Sequence, residues 1–496
     1  MKYFCSCIAL ILFGFVSAQN IAFDDAILKA KLVAASPANT TAKNLAGAYF
    51  KIDADGDGEI SVVEALEVSA LNLRSTGIHS LTSLDSFENL QTLDCGNNVL
   101  SNFNHIAQID LSNLSSLVSL DCIDANVSSI VNTSAAPLLK FLRATGNDLP
   151  DWNLSDFPAL ETFACIGCDI STFNLPGDST VKYLTIAGNH ITTFNLSPNT
   201  ALETISFEPY QPGALDFSIF PNLKSMNIWS NVTTGINLSG LTNFEEFYGN
   251  GGSLQMINTT GCTSLKKFTA WGNSLTSLDL QSNTNLEYLD VNDNWLQQLN
   301  LSNNPHLNFL ECDGNNITTL DLSQNTKLTY LNVGDTEIAT LDVRYQHELG
   351  IVDFRGCSYL QSVYLKNGVN NTVSLQNCPQ LTYICADIGE TPDILQKLSN
   401  AGMASVVVDD ACELSVADAF TAEVSIYPNP VGEMLHIDFD GLSTVNSVVI
   451  YNLMGQIVFE QHNVPTSIDV SRLTTGQYIL SLMSDQGALL RRFIKQ

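Results

Sequence analysis

A leucine-type anchor recurs every 21 residues at Leu142, Phe163, Leu184, Ile205, Met226, Phe247, Phe268, Leu289, Leu310, Leu331 and Val352, ten steps of one length. Looser steps extend the series upstream to Leu120, Leu93 and Leu71, and downstream to Ile384. One copy reads Leu286-x-x-Leu289-x-Val291-x-x-Asn294-x-Leu296-x-x-Leu299-x-Leu301-x-x-Asn304. A unit this short cannot bury an apolar face alone, so self-similarity at a fixed period dictates a stacked solenoid. Within each unit Leu-x-x-Leu-x-Leu predicts a short strand whose alternate side chains point inward. Asn follows the anchor by five residues at Asn98, Asn147, Asn189, Asn231, Asn273, Asn294 and Asn315. A buried ladder of amides there can pair the backbone groups that the turn leaves open. The second half, typified by Leu299-x-Leu301-x-x-Asn304, returns along the opposite wall. Tyr210 and Gly252 replace the Asn near Pro209, Pro212 and Gly251, so irregular loops are expected to project there.

At 496 residues the chain exceeds one hydrophobic core, and several modules are expected. A net charge of -30 excludes a nucleic-acid partner, whose phosphates require Lys and Arg. It suits a soluble extracellular surface and divalent cations. Residues 1–18 carry the marks of a secretory signal: Lys2, a short apolar run over 8–16, and the small-residue cleavage site Val16-Ser17-Ala18. That run is too short to span a membrane and no later one is long and apolar enough, so no transmembrane segment is expected. Cys5 and Cys7 leave with the signal. Cys95, Cys122, Cys165 and Cys312 stand two residues after an anchor, the inward strand position, where Cys is a small hydrophobe. Cys168 and Cys357 take the Asn slot, and Cys262 and Cys378 the second Asn slot. Cys165-x-x-Cys168 has metal-pair spacing but falls on two repeat positions, so these thiols read as structural. Cys385 and Cys412 lie beyond the regular array and form the candidate disulfide stapling its end, since export permits disulfides.

Ahead of the repeats, residues 23–35 have the apolar spacing of a short helix, and a second helical stretch is expected around 42–50. Next comes Asp53-Ala-Asp55-Gly-Asp57-Gly58-Glu59-Ile60-Ser61-Val-Val-Glu64. Calcium needs six to eight oxygens wrapped by a tight loop. Here Asp53, Asp55 and Asp57 supply alternate carboxylates, Gly58 the sharp turn, Glu59 its carbonyl, and Glu64 a bidentate end. A lone loop of this kind in an exported chain suggests a structural Ca2+ ion.

The repeat residues resemble those of bacterial extracellular leucine-rich-repeat proteins of the 21-residue type, here with an EF-hand-like acidic cap. The resemblance implies a mainly β horseshoe or arc and leaves the ligand open. Beyond Ala386, residues 392–400 suit a short helix and 406–408 a terminal strand. A new pattern starts near 424: Tyr427-Pro428-Asn429-Pro430, alternating short strands, Gly476-Gln-Tyr478 and a terminal Lys495. Its short alternating strands predict a small β-sandwich. Its motif order resembles the C-terminal sorting domain of type IX secretion substrates of Gram-negative Bacteroidetes. That resemblance implies passage across the outer membrane and the type IX machinery as a partner. The expected order is therefore signal (1–18), cap with calcium loop (19–67), repeats (68–385), C-terminal cap and linker (386–423) and sorting domain (424–496).

No histidine metalloprotease motif, nucleophile elbow, phosphate loop or dinucleotide fingerprint is present, so no catalysis is expected. The outward strand slots are more telling. Tyr288, Phe309 and Tyr330 lie one repeat apart and should stack as a column on the concave face, bordered by Asp290, Glu311 and Asp313. Trp229, Tyr248 and Trp271 should cluster near the irregular copies. Such strips suit recognition of an extracellular protein or glycan, although aromatics also stabilise neighbouring strands by pairing. The expectation is a secreted or surface-displayed binding or adhesion protein; the alternative is a structural surface or matrix component without a soluble ligand.

Overall fold

The computed structural model describes residues 19–98, 102–210, 212–229, 232–412, 423–440, 445–452, 457–462, 466–484 and 487–496. The expected signal over 1–18 and Asn231 lie outside the described residues. The chain divides into two compact units, residues 1–410 and 411–496.

The first unit is a β-solenoid. Its long sheet has 16 strands among the described residues, running from Ala42–Asn44 to Thr372–Ser374. Apart from the antiparallel first pair, its neighbours are parallel and in register anchor to anchor: Leu71, Leu93, Leu120, Leu142 and onward through Leu331 and Val352. Every anchor is at most 2% exposed, because the pleat turns it into a core closed above and below by identical units. The series takes one 21-residue step beyond expectation, since Val352 pairs with Val373. Ile384 belongs to the return wall, between Val363 and Val408. Both walls carry apolar residues at strand spacing, so spacing alone does not say on which wall a residue falls.

The Asn ladder forms. Asn294 donates from Nδ2 to the carbonyls of Ala270 (2.9 Å) and Val291 (3.1 Å), and its Oδ1 accepts from the Leu275 N–H at 2.9 Å. Asn147, Asn189, Asn273 and Asn315 are likewise buried. Asn98 is not part of the ladder: it is exposed and pairs with Ser75. The longer repeat between Leu93 and Leu120 places Asn104 there instead, donating at 2.8 Å to the carbonyls of both Leu73 and Cys95. Cysteine can take the same place. Cys357 reaches the Val333 carbonyl at 3.1 Å and Cys378 the Phe354 carbonyl at 3.2 Å. Cys378 thus follows anchor Val373 by five residues and occupies the first Asn slot, not the second.

Cys165 and Cys168 are not independent thiols; they form a disulfide with a Cα–Cα distance of 5.7 Å, within the usual bridging range. Gly167, at φ +62°, turns the chain so that both sulfurs face the core. Cys385 and Cys412 are each disulfide-bonded as well. The irregular copies do not simply loop out: Tyr183–Ile191 and Thr204–Pro209 are the long sheet's extended strands, and Ile191 pairs with Pro209.

The N-terminal end is closed by helix α1 (Ala26–Val33), whose N-cap Asp25 accepts from Ile27 and Leu28 N–H at 2.8 and 3.0 Å. The other Asp25 oxygen accepts from His79 N–H at 2.6 Å, tying the cap to the first repeat. Residues 42–50 are not a helix. Ala42–Asn44 adds antiparallel to Val68–Asn72 and turns back at Gly47, with Lys43 bridging Tyr49. Edge pairing of the long sheet outweighs helix propensity here. After the short helix α2 (Val62–Ala65) the repeats begin. Helix α3 (Thr391–Asn400) and the strand Val407–Asp409 close the far end.

The second unit pairs a three-stranded antiparallel sheet with a four-stranded one. Val431, Leu435, Ile437, Val448, Ile450, Leu480 and Phe493 belong to its separate core.

Candidate calcium loop and binding face

The acidic loop sits between the cap hairpin and α2. Asp53, Asp55 and Asp57 bring carboxylate oxygens within 4.8 Å of one another. Asp53 is buried and accepts from Gly56 N–H at 2.6 Å and Gly58 N–H at 3.3 Å, which curls the loop around it. Asp55 and Asp57 accept from the N–H two residues on, at 3.1 and 2.8 Å. Glu64 reaches back over the loop, accepting from Ala54 N–H at 2.7 Å and Ser61 N–H at 2.8 Å in a capping box for α2. The Glu59 side chain turns away to Lys29 at 2.5 Å, which leaves only its carbonyl for the loop. A hard oxygen set curled around one buried carboxylate fits Ca2+.

The candidate face lies at the later repeats. Tyr288 and Phe309 stack with ring centroids 4.2 Å apart, and Phe309 and Tyr330 at 4.4 Å, both pairs within 6° of parallel. Strand spacing of ~4.8 Å forces equivalent slots this close, and the rings lean into contact. The slot before Tyr288 holds Lys267, whose ammonium lies 4.6 Å from the Tyr288 ring and 5.1 Å from Tyr248. Tyr248 therefore joins this column through a lysine. It does not cluster with the tryptophans: among the described residues no rings of Trp229, Tyr248 and Trp271 stack on one another. Trp229 and Trp271 share a slot two repeats apart, with Asn250 between them accepting from the Trp271 N–H at 3.3 Å. Two strand spacings separate the tryptophans, and both are exposed.

Beside the stack lie Asp290, Glu311 and Asp313. Tyr330 donates to Glu311 at 3.0 Å and Asn332 to Asp313 at 2.9 Å. Burial first, and neighbouring carboxylates against one backbone hydrogen bond next, push Asp290 and Asp313 up to about 6. Burial and the hydrogen bond to Glu311 push Tyr330 up to about 12. Among the described residues no Lys or Arg pairs with these three acids. At the other end of the sheet the acids are neutralised: Arg74 bridges Asp94 at 3.0 Å and Asp121 at 2.9 Å, and Arg143 meets Asp121 at 3.3 Å. Asp353, next to the patch, is held by Arg355 at 2.6 Å. A cavity of about 320 Å³ opens there between Asp313, Asn332, Asp353, Arg355 and Asn377. Its wall includes Gly334, where a Cβ would press the Arg355 carbonyl at 2.9 Å. This cavity escaped the sequence reading because it is built from turn residues of three successive repeats; the shared 21-residue offset of Asp335, Gly356 and Asn377 was the available signal.

Residues 425–496 match the family "Secretion system C-terminal sorting domain". The chain is 33% identical over 79 residues to ulvan lyase NLR42 of Nonlabens ulvanivorans, spanning 15% of either protein. Among solved structures, the functional domain of InlJ from Listeria monocytogenes, described as including a cysteine ladder, aligns with TM-score 0.50 at 18% identity, over 97% of this chain and 99% of that one. YopM from Yersinia enterocolitica WA-314 aligns with TM-score 0.44 at 21% identity, over 64% of this chain and 73% of that one. The chain is thus a leucine-rich-repeat-type solenoid carrying a type IX sorting domain, and the sorting domain marks it for export. Among the described residues no helix is long and apolar enough to cross a membrane.

Proposed function

We propose that this exported solenoid is a recognition module acting outside a Gram-negative cell, and that its long-sheet face at Tyr288, Phe309 and Tyr330 binds a basic segment of an extracellular protein. The observation that carries this reading is a three-ring stack beside three carboxylates, none of which forms an ion pair with a Lys or Arg among the described residues. Partly buried carboxylates held only by neutral hydrogen-bond donors are costly to ionise, and an incoming Lys or Arg supplies the countercharge. Lys267 displays the contact in miniature, its ammonium lying against Tyr288. The neighbouring cavity gives an anchoring side chain a place to enter. The type IX machinery is the partner proposed for the sorting domain. In the cap, Ca2+ would be held by Asp53, Asp55, Asp57, the Glu59 carbonyl and Glu64, joining the loop's two ends; no catalytic role is assigned.

The test is binding of Lys- and Arg-rich peptides and candidate surface proteins to the purified chain. Replacing Tyr288, Phe309 and Tyr330 together with Ala is expected to weaken binding by ~2 kcal/mol or more if the stack is a hot spot. High salt is expected to slow association. Selection of acidic or neutral partners only, or unchanged binding by the folded triple variant, would overturn the assignment.

A further inference from the structure

Strand pairing along the return wall is interrupted at several places, and one of these gaps lies near its N-terminal end. Ser129–Val131 and Thr172–Leu175 are strands, but the repeat between them makes a 3-10 turn at Leu154–Asp156 instead. The break opens a cavity of about 390 Å³. Ten residues past each anchor the other copies here place hydrocarbon: Ile130, Phe173, Phe194, Leu215, Ile236 and Ile257. This copy places Trp152, edge-on to Phe163 with centroids 4.8 Å apart. Its indole N–H is buried without an acceptor among the described residues. An unpaired buried N–H is destabilising, and sister repeats show that a pure hydrocarbon side chain, aliphatic or phenyl, fills the slot. The ring packs on the core through Phe163, but that packing leaves its N–H without a partner among the described residues.

The cavity's remaining walls indicate what the ring is for. Ile130, Leu149 and Phe157 extend the apolar floor. The rim is polar: Asp156 accepts from Thr133 Oγ1 at 2.7 Å and from Asn153 Nδ2 at 2.9 Å, which fixes its carboxylate in place. Asp151 and Asn174 complete the rim, and no Lys or Arg lines the cavity. An apolar floor with a few oriented acceptors and amides is the usual build of a small-molecule cleft, and the volume falls in the ~300–1,000 Å³ range of such sites. A flat ring takes the C–H face of a sugar, while carboxylate and amide groups take its hydroxyls. Two carboxylates and no cation repel acidic sugars and sulfate esters.

We propose that this break in the return wall is a binding site for a unit of a neutral saccharide, with Trp152 as the stacking surface and Asp156 as the oriented hydroxyl acceptor. It lies on the opposite wall from the aromatic column and is independent of the protein-binding reading. The experiment is calorimetric titration of the full-length chain with neutral glucan, mannan and galactan oligosaccharides, alongside oligomers of uronic acids. Saturable binding of a neutral oligosaccharide is expected, with none of the uronates. Trp152→Leu, which restores the residue type of sister repeats, and Asp156→Asn are each expected to weaken it by ~3–10-fold with the melting temperature retained. The triple variant at Tyr288, Phe309 and Tyr330 is expected to bind the saccharide normally, which separates the two sites. Absence of binding by every neutral oligosaccharide, equal binding of uronates, or binding that survives both substitutions would overturn the proposal, as would preference for a peptide displaced by neither sugar class.

Discussion

Asp290 and Asp313 are ionised at neutral pH in surroundings that oppose it. Their folded-state values near 6 lie above the ordinary carboxylate value of 3.8. Between those limits the folded chain binds more protons than the unfolded chain, so these two groups make stability fall as pH rises through about 6. Asp290→Asn with Asp313→Asn is therefore expected to raise the melting temperature at pH 8 and to give no gain below pH 4. Thermal unfolding at the two pH values checks this, and a loss of stability at pH 8 would show that the charges are structural. The same substitutions are expected to weaken a basic partner, since residues kept for function commonly lower stability. The anchors, the Asn ladder and the Tyr288–Phe309–Tyr330 stack were legible in the sequence because each repeats at one offset. The raised carboxylates were not, since burial depends on what neighbouring repeats place around them. Nor was the Cys165–Cys168 bridge: its spacing was visible, but the turn at Gly167 that brings the sulfurs together was not.

At the scale of elements, the long sheet carries a charge rail two residues before the anchors. Lys140, Glu161, Lys182, Glu203, Lys224, Glu245, Lys266 and Glu287 alternate in sign over eight repeats. Glu161 meets Lys140 and Lys182 at 3.2 and 3.0 Å, Glu203 meets Lys224 at 2.8 Å, and Glu245 meets Lys266 at 3.0 Å. Like charges on adjacent strands are unfavourable, so the alternation disfavours stacking of repeats in the wrong order. Glu203→Lys is expected to lower the melting temperature, more at low salt than at high, because the rail is exposed and screened. A salt-independent loss would point to packing instead. The rail was legible at its 21-residue offset but invisible to a search for chemistry. The candidate calcium loop is the second element with a testable role. Asp55→Ala is expected to bring the melting temperature measured in calcium down to that measured with chelator. Glu64→Gln is a gentler companion than Ala, because Glu64 also caps α2. Identical melting of the unaltered chain with and without calcium would remove the ion from the account. The loop's ligand spacing was plain in the sequence, whereas the hairpin over 42–50 was not. Its apolar residues suit a helix, and only pairing of Ala42–Asn44 with Val68–Asn72 decides otherwise.

At the scale of the whole molecule, a solenoid is stable only when its terminal repeats are covered, because an end repeat otherwise exposes the apolar cross-section of the stack. Here both covers precede residue 411. The hairpin and α1 close one end, while α3 with Val407–Asp409 closes the other. The C-terminal sorting domain has its own core around Val431, Ile450, Leu480 and Phe493, and needs no repeat to bury it. Each unit therefore satisfies its own burial; in the proposed reading one unit recognises and the other routes. A chain ending at Cys412 is expected to keep the melting temperature and calcium response of the solenoid, since nothing that closes the stack is lost. In the cell the same truncation is expected to leave the protein in the periplasm, because the family matched by residues 425–496 is a secretion sorting domain. Fractionation of cells expressing the truncated chain, alongside calorimetry of the purified product, reads both halves of the expectation. Arrival of the truncated chain at the surface at normal levels would refute the routing role. Loss of the solenoid's cooperative transition would instead show that the far-end cover is incomplete without the residues beyond Cys412.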